Sequence, residues 1–515
     1  MDISRRTLLA ASAAAPFIMG QTAANTQSTI KIDTTKTRGA IDRNIFGNFI
    51  EHLGRCIDGG VFQEGSPLSD KEGFRKDVLA AAKNMGVPML RWPGGNFSSN
   101  YEWMDGIGPR NTRPRRLEMA WGTVETNRFG THEFLDYISK LGAEPYICVN
   151  LGTGTWTMAQ RWVEYVNCEQ DTAITRFRRK NGRRTPWKVK YWGLGNEMDG
   201  PWQMGHRTAE DYGKFALEAA KLMRLTDPSI KLIAAGASNF RPGSDWMGWN
   251  RTVLDWLKDY ADYISLHLYV GNPNNDFPDF VASSIEMDQR IETLAAAIDT
   301  AMAGRKDGRK MYIALDEWNV WYRARGPSQR GRRILEEHYN LEDALVIATF
   351  LNCLVNHADT VKIANLAQLV NVIAPIFTSD HGLFLQTIYY PLQLFASNVQ
   401  GDSLIVAVDS PAYDSRRFKG VPYIDASAAL DGGRLVVNIV NRHEQQPVAV
   451  TIDLEDRSFA GPVAVSKVNG PDIKSENDFG KTLVATATDT ATANGRTLSY
   501  TLPAHCYTQL RATLA

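Results

Sequence analysis

Short apolar runs alternate with longer amphipathic segments between about residues 45 and 395 of the chain. Eight runs have the length and residue types of buried strands, and they read IFGNFIEH, PMLRWPGG, EPYICVNLG, KYWGLGNE, KLIAAGASN, YISLHLYV, MYIALDEW and TVKIANLAQ. Segments between them repeat apolar residues every three to four positions, as in THEFLDYISKLG and TAEDYGKFALEAAKLMRLTD. Strand–helix alternation repeated eight times predicts an α/β fold of the (β/α)8, or TIM barrel, type.

An open, doubly wound sheet is the alternative architecture for the same alternation of elements. Such sheets usually bind their ligands through a phosphate-binding turn. The glycine-rich candidate LGTGTWT has neither the G-x-G-x-x-G spacing nor the lysine of a Walker motif. We therefore prefer the barrel.

The pattern changes beyond about residue 395, where strand-like segments such as RLVVNIVNRHEQQPVAVTIDL are separated by turns and no helical periodicity appears. This texture is typical of an antiparallel β-sandwich. The stretch STIKIDTTKTRGAI, ahead of the barrel, is also strand-like. We expect an N-terminal strand segment at 28–44, a catalytic barrel at 45–395 and a C-terminal sandwich at 396–515.

The first 27 residues have the pattern of a targeting segment. Arg5 and Arg6 precede an alanine-rich apolar stretch that is too short to span a bilayer. We expect a twin-arginine-type signal peptide at 1–27 and a mature protein that is periplasmic or extracellular. No later stretch is long and apolar enough to predict a membrane span.

Composition and charge exclude several classes of function. Lys+Arg and Asp+Glu both number 57, so the overall charge does not point to nucleic acid or an anionic membrane as a partner. The five cysteines lie far apart without a C-x-x-C pair, and the nine histidines form no H-E-x-x-H motif. The chain also lacks the G-x-S-x-G turn of a serine hydrolase. We expect neither a metal nor a cofactor.

Polar residues recur where the eight predicted strands end. They are Glu51, His52, Arg91, Asn96, Asn150, Asn196, Glu197, Asn239, His267, Tyr269, Asp316, Glu317, Asn365 and Gln368. All strands of a parallel barrel end on the same face, where catalytic residues collect. A set rich in amide, carboxylate and aromatic groups suits a neutral polyhydroxyl ligand, which is bound by directional hydrogen bonds.

Two of these strand ends deliver a glutamate to the expected pocket: Glu197 in GLGNEMDG and Glu317 in IALDEWNV. Paired carboxyl groups perform glycosidic cleavage, one protonating the departing oxygen and the other attacking the anomeric carbon. The ionised partner also raises the pKa of the acid. The pair therefore predicts a glycoside hydrolase, and a carboxyl separation of about 5–5.5 Å would predict retention of configuration.

Long blocks of the chain resemble glycoside hydrolase family 51, the α-L-arabinofuranosidases. They are FGNFIEHLGRCIDGG, RWPGGNFSSNYEWMDGIGP, WGLGNEMDGPWQMGH, SLHLYVGN, DEWNVWY and NLAQLVNVIAPI, in this order over nearly the whole predicted barrel. The resemblance implies a TIM barrel with a jelly-roll sandwich that includes the strand ahead of the barrel. It also implies a retaining, metal-free mechanism on arabinose-containing polysaccharides or oligosaccharides, and a homo-oligomer.

Carried over position by position, the resemblance implies that Glu197 is the acid/base and Glu317 the nucleophile. It also implies that Asn196 hydrogen-bonds the hydroxyl next to the anomeric carbon. Further side chains would bind the furanose, orient the nucleophile or form apolar walls: Glu51, Arg91, Asn96, Trp121, Tyr269, Trp321 and Gln368.

Several alternatives stay open on the sequence. Arg91 could form a structural ion pair, Trp121 and Trp321 could serve packing, and His206 and His267 could be ordinary hydrogen-bonding residues. The leading functional prediction is exo-acting removal of terminal α-L-arabinofuranosyl groups. An endo-acting β-1,4-glucanase or xylanase on the same barrel is the nearer rival, and a non-catalytic sugar-binding protein is the more distant one.

Overall fold

The computed structural model describes residues 27–324 and 333–515. Apart from its last position, the predicted signal segment 1–27 lies outside the described residues. The described chain begins with strand β1 (Gln27–Ala40), which is followed by a short 3-10 helix at Arg43–Phe46.

The next part of the chain supplies the barrel and two small hairpins. Its strands are β2 (Gly47–Phe49), β3 (Met89–Trp92), β4 (Arg116–Glu118), β5 (Thr123–Glu125), β6 (Glu144–Cys148), β7 (Tyr191–Leu194), β8 (Lys231–Ala234), β9 (Tyr263–Val270), β10 (Tyr312–Val320), β11 (Val361–Ala367), β12 (Ile376–Ser379) and β13 (Gly382–Leu385). Its helices are α1 (Lys76–Met85), α2 (Thr131–Leu141), α3 (Trp156–Asn167), α4 (Ala173–Lys180), α5 (Ala209–Thr226), α6 (Trp246–Leu257), α7 (Phe277–Val281), α8 (Ser284–Met302), α9 (Leu341–Asn356) and α10 (Tyr389–Asn398).

Eight parallel strands close into a barrel in the order β10-β11-β2-β3-β6-β7-β8-β9. Each overlaps one of the eight apolar runs, so the predicted TIM barrel is confirmed. The runs are nearly continuous in apolar residues because helices cover the outer face of a parallel barrel and side chains fill its interior. An inner layer of Met89, Tyr146, Tyr191, Ile233, Tyr263, Ala314 and Ile363 fills the barrel.

Helix α9 is buried along its whole length, between the barrel and the C-terminal sheet. Its sequence, LEDALVIATFLNCLVN, is apolar on every side, as expected of a helix without a solvent face. Asn340 begins it with a capping box: the Asn340 side chain accepts from the Asp343 backbone N–H, and Asp343 accepts from the Asn340 backbone N–H.

The C-terminal strands are β14 (Asp402–Asp409), β15 (Ala412–Tyr413), β16 (Val421–Pro422), β17 (Ile424–Asp431), β18 (Arg434–Asn441), β19 (Val448–Leu454), β20 (Phe459–Asn469), β21 (Ala485–Ala491), β22 (Thr497–Leu502) and β23 (Cys506–Leu514). Eight of them join β1 in a nine-stranded sheet of order β21-β20-β23-β18-β17-β14-β1-β19-β22. The pairings are antiparallel except for β1 with β19, which is parallel. The predicted C-terminal antiparallel β domain is thus confirmed.

One aliphatic core lies within this sheet. It takes Ile30 and Ile32 from β1, Ile439 from β18, Ile452 from β19 and Leu510 from β23, together with similar residues from the other strands. Strands far apart in the sheet order share this core, so the sheet folds over on itself. The burial of β19 alternates with a period of two, which marks one face toward the core.

The eight apolar runs did not indicate the β4–β5 hairpin, which lies between β3 and α2. Among the described helices, none combines the length and the apolar character that crossing a bilayer requires.

Candidate active site

Two glutamates meet at the carboxyl ends of the barrel strands. Glu197 comes three residues after the end of β7, and Glu317 lies within β10. A carboxylate oxygen of each and a ring nitrogen of His267 all lie within 4.8 Å of one another. The structure therefore brings together the two residues that the sequence singled out, over one shared space.

Glu317 is buried and held on both oxygens. Arg91 donates from Nη1 to Oε1 at 2.8 Å, and Tyr269 donates its hydroxyl to Oε2 at 2.8 Å. Arg91 is itself 1% exposed and also donates from Nη2 to Asn196 Oδ1 at 2.6 Å. These bonds fix the orientation of the carboxylate, because each of its oxygens accepts a hydrogen bond from a different donor.

Glu197 lies in a different environment, on a backbone with a positive φ of 46°. That conformation is uncommon for a residue other than glycine, and it turns the side chain into the pocket directly after the strand. Trp202 donates its indole N–H to Oε2 at 2.6 Å, and His267 Nδ1 lies 3.0 Å from Oε1. Burial raises the pKa of Glu197 and the charge of Glu317 adds to the rise, whereas the bond from His267 opposes it.

A buried polar network within the barrel contacts Glu197 and Glu317. His267 Nε2 lies 3.0 Å from Asp316 Oδ1, and Tyr146 donates its hydroxyl to Asp316 Oδ2 at 2.7 Å. Burial opposes ionisation of His267, but Glu317, Asp316 and Glu197 together raise its pKa well above the usual value. Burial likewise opposes the charge of Asp316, yet Arg91 and His267 lower the pKa of that carboxyl. Histidine is thereby held as a cation between carboxylates.

A second group of polar atoms surrounds Glu51, at the end of β2. Its Oε1 accepts from Phe97 N at 2.9 Å and from Trp121 Nε1 at 3.0 Å, and its Oε2 accepts from Gln368 Nε2 at 3.2 Å. Burial raises the pKa of Glu51 to about 8, against the effect of these donors. Gly94, with φ +138°, passes so close that a Cβ there would come within 2.5 Å of Glu51 Cγ.

The remaining predicted residues border the same space. Asn196 is buried, and its Nδ2 has no hydrogen-bond partner among the described residues. Trp321 packs edge-on against Tyr269, with ring centroids 5.5 Å apart. Asn96 is half-buried and begins a 3-10 helix at Asn96–Asn100, directly after the glycines that contact Glu51.

Comparison with known proteins gives the same result along the chain. The family model described as "Alpha-L-arabinofuranosidase C-terminal domain" matches residues 316–506, and "Alpha-L-arabinofuranosidase 1 domain" matches residues 81–284. An intracellular exo-α-(1→5)-L-arabinofuranosidase of Halalkalibacterium halodurans is 43% identical over 84% of this chain and 88% of its own length. This chain belongs to the α-L-arabinofuranosidases of glycoside hydrolase family 51.

Solved structures agree with this membership. The Thermotoga maritima α-L-arabinofuranosidase, in complex with arabinose, superposes with a TM-score of 0.87 at 39% identity, covering 94% of this chain and 100% of that one. The family 51 enzyme AbfB of Bifidobacterium longum has a TM-score of 0.88 at 33% identity, covering 94% and 99%. The resemblance in the strand-end motifs is confirmed, and the endo-acting glucanase or xylanase is not favoured.

The prediction of an exported family 51 protein is wrong by the same comparison. Four relatives that are 40–43% identical and match 80–87% of this chain are named as intracellular enzymes. The alanine-rich run after Arg5 and Arg6 is only moderately apolar. A short run of that kind is not specific for a signal peptide, and this explains the error.

Not every polar strand end of this arabinofuranosidase family member faces the pocket. Asn150 uses its Oδ1 to accept from the backbone N–H groups of Gly152, Thr153 and Gly154. Asn239 accepts from the backbone of Arg241, and His206 is exposed. These residues stabilise turns or lie at the surface. The structure instead adds Trp202 and Tyr146, which sequence reasoning did not select, although Trp202 lies within the resembling block WGLGNEMDGPWQMGH.

Glu197, His267 and Glu317 could in principle offer three ligand atoms to a cation. Their existing partners argue against that use. The Arg91 guanidinium is already bonded to Glu317, and both ring nitrogens of His267 face carboxylates. A positive charge at that distance competes with any bound metal ion, so the trio fits proton transfer and nucleophilic attack better than metal binding.

Proposed function

We propose that this protein is a retaining exo-α-L-arabinofuranosidase that removes terminal non-reducing α-L-arabinofuranosyl groups from arabinan, arabinoxylan or derived oligosaccharides. The observation that carries the proposal is the approach of Glu197 and Glu317, whose carboxylate oxygens and the His267 ring lie within 4.8 Å of one another. Carboxyl groups about 5–5.5 Å apart operate by double displacement, since no room remains for an attacking water between them and the sugar.

Glu317 is assigned as the nucleophile. The charged donor Arg91 and the polar donor Tyr269 orient its carboxylate. Attack of a Glu317 oxygen on the anomeric carbon forms the glycosyl ester as the bond to the leaving oxygen breaks. The alcohol departs with the proton that Glu197 supplies.

Glu197 is assigned as the acid/base. Its raised pKa keeps the carboxyl protonated for the first step. Once Glu317 has become a neutral ester, the negative charge that raised this pKa is gone, so Glu197 becomes a stronger acid and remains ionised. It then takes a proton from the water that attacks the anomeric carbon, and the ester bond to Glu317 breaks.

The remaining side chains are assigned to the furanose. Glu51, Asn96 and Gln368 would bind its hydroxyls. Asn196 would bind the hydroxyl next to the anomeric carbon through Nδ2, which has no partner among the described residues. Arg91 and Tyr269 would act on the sugar indirectly, because they orient Glu317. Trp121 and Trp321 would form apolar walls of the pocket. The mixture of neutral amides and carboxylates supports a neutral sugar as the ligand.

The exo mode is supported by the β4–β5 hairpin. Its turn carries Trp121, whose backbone N–H bonds to Glu118 Oε2 at 2.6 Å and whose indole reaches Glu51 at 3.0 Å. The hairpin therefore borders the space next to Glu51. In this proposal it blocks the path of a substrate chain that would continue past the non-reducing end of the furanose.

The two roles can be separated by azide. We expect the Glu317→Ala variant to lose about 10⁴-fold or more in kcat/KM on an aryl α-L-arabinofuranoside, and azide to restore turnover with formation of the β-configured azide. The Glu197→Ala variant should instead give the α-configured azide, because azide then attacks the glycosyl ester. Glu218→Gln, at a surface pair with Lys221, is the matched control and should keep wild-type activity.

Exchange of the two azide products would reverse the assignment, and unchanged activity in Glu317→Ala would remove it. A non-catalytic sugar-binding protein would show binding that survives both substitutions and no turnover in the wild type. Arabino-oligosaccharides labelled at the reducing end test the exo mode. Release of arabinose alone from the unlabelled end supports it, whereas early appearance of short labelled fragments contradicts it.

Two further points of organisation are proposed. The strand segment 28–44, the barrel 45–395 and the sandwich 396–515 are proposed as three parts of the chain, and the pairing of β1 with β14 and β19 supports this division. A homo-oligomer is proposed on the family resemblance alone, and light scattering on the purified protein would test it.

A further inference from the structure

A second cluster of ionisable side chains lies away from the proposed catalytic face. It consists of Asp288 on α8 with Cys353 and His357 at the end of α9. One ligand atom of each lies within 4.8 Å of the others, and His357 Nε2 is 2.6 Å from Asp288 Oδ1. Helix α9 leads into β11, so this end of the helix is near the amino end of the barrel strands, opposite the two glutamates.

The spacing along both helices places the groups on facing surfaces. Cys353 and His357 are four residues apart on α9, so their side chains lie one above the other. Asp288 and Glu292 have the same separation on α8, the helix packed against α9. Asp288, Cys353 and His357 therefore meet between the two helices, and Glu292 lies one turn further along α8.

The surroundings of the cluster are negative. Besides burial, the carboxylates of Asp288, Asp425 and Glu292 raise the pKa of the Cys353 thiol. Arg442 is the nearby cation, but it is bonded to Asp425 at 2.8 Å. Cys353 and His357 are 7% and 9% exposed, whereas the Asp288 side chain is 49% exposed. An ion can therefore reach the cluster from solvent on the Asp288 side.

We propose that Asp288, Cys353 and His357 bind a divalent transition-metal ion of the Zn²⁺ class. Thiolate, imidazole and carboxylate together are a donor set that Zn²⁺ accepts in tetrahedral geometry. On binding, the thiol of Cys353 would release its proton to solvent, and the metal would replace the His357–Asp288 contact. Glu292, which is exposed, or a water molecule would take the fourth position.

The expected role is structural. The cluster joins two outer helices of the barrel where α9 also contacts the C-terminal sheet through β17. Asn352, the neighbour of Cys353, donates to Asp425 Oδ1 at 2.6 Å. A metal ion that binds only the folded chain stabilises it by mass action and leaves the distant chemistry unchanged.

Cobalt(II) provides a direct test, because a Co²⁺–thiolate bond gives a charge-transfer band that oxygen and nitrogen ligands do not. We expect the purified full chain to bind one Co²⁺ with this band and with the visible absorption of tetrahedral cobalt, and Zn²⁺ to displace it. Zn²⁺ should raise the Tm by several degrees. The Glu197, His267 and Glu317 trio contains no sulfur, so it cannot produce the band.

Two variants and one control complete the test. Cys353→Ser should remove the charge-transfer band and the Zn²⁺-dependent rise in Tm, and Asp288→Asn should weaken Co²⁺ binding at least tenfold. Cys168→Ser, a change at another buried cysteine, should leave the band intact. Activity on an aryl α-L-arabinofuranoside should stay at the wild-type level in all three. Absence of the band in the wild type, or its persistence in Cys353→Ser, would overturn the proposal.

Discussion

The interior of the barrel at its carboxyl end and the core of the C-terminal sheet differ in the kinds of side chain that they bury. The barrel buries Arg91, Asp316 and His267, each 4% exposed or less, in one bonded network. The apolar core of the sheet is formed by isoleucine, leucine, valine and alanine, and polar residues that the sheet buries, such as Asn438 and Gln509, are uncharged. Buried charges seldom stabilise a fold relative to apolar residues of similar size. The contrast therefore separates a region arranged for chemistry from one arranged for stability.

The largest fall in activity is expected from a substitution that breaks the polar network of the barrel without changing the shape of the side chain. Asp316→Asn removes the negative charge that pairs with both Arg91 and His267 while keeping the side-chain volume. We expect kcat/KM to fall about 10²–10³-fold, because Arg91 and His267 would then draw more strongly on Glu317 and Glu197. Steady-state kinetics measures this. Asp255→Asn, at an exposed carboxylate, is the control, and retention of full activity by Asp316→Asn would show that the network is structural only.

The sheet core should show the opposite pattern. Ile452 is 1% exposed and is paired with Ile30 of β1 and Leu498 of β22. We expect Ile452→Ala to lower the free energy of unfolding by about 2–4 kcal/mol through the cavity that it leaves. The measurement is chemical denaturation, with kcat/KM determined well below the Tm.

The neighbouring Thr451→Ala, on the other face of the same strand, should change stability by less than about 0.5 kcal/mol. A large loss of kcat/KM in Ile452→Ala with little loss of stability would contradict the division of roles between the two regions.

A smaller effect is expected at the rim of the pocket. Trp121→Phe keeps an apolar ring but removes the indole N–H that bonds to Glu51. We expect KM to rise about 3–10-fold with a smaller change in kcat, the cost of one hydrogen bond to a carboxyl group. Trp156→Phe, at an exposed tryptophan on α3, should leave both constants unchanged. A fall in kcat as large as the rise in KM would indicate that Trp121 acts on the reacting centre.

The smallest expected change is a shift in the pKa of Glu197. Because Glu197 must be protonated in the first step and its pKa is raised, kcat/KM should persist above the usual pKa of glutamate and fall as pH rises through the raised value. Glu317→Gln removes the neighbouring charge, so the pKa of Glu197 should drop toward its usual value. Carbon-13 NMR of the glutamate carboxyls measures this, and an unchanged or higher pKa would show that Glu317 does not act on Glu197.

The barrel was predictable because its strands are covered on both sides, which leaves eight apolar runs with polar ends. Glu197 and Glu317 stood out for the same reason, as carboxylates at the ends of core strands. The partners Trp202 and Tyr146 carried no comparable signal. Trp202 lies at the surface of a turn, and Tyr146 looks like an ordinary apolar-strand residue until the barrel closes on Asp316.

One cluster of side chains on the outer helices had no signal in the sequence. The Asp288, Cys353 and His357 cluster could not be found from spacing, because only the packing of α8 on α9 brings the aspartate to the other two. Sequence motifs detect ligands that share one segment, and this set does not.

The position of β1 has a consequence for synthesis of the chain. This strand leaves the ribosome first among the described elements, yet both of its neighbours, β14 and β19, are made hundreds of residues later. Until then its edges have no partners, and β1 cannot complete its pairing before residue 454 has emerged. C-terminal truncations that keep every barrel residue should therefore still yield an aggregation-prone product, because β1, at the other end of the chain, loses the strands with which it pairs.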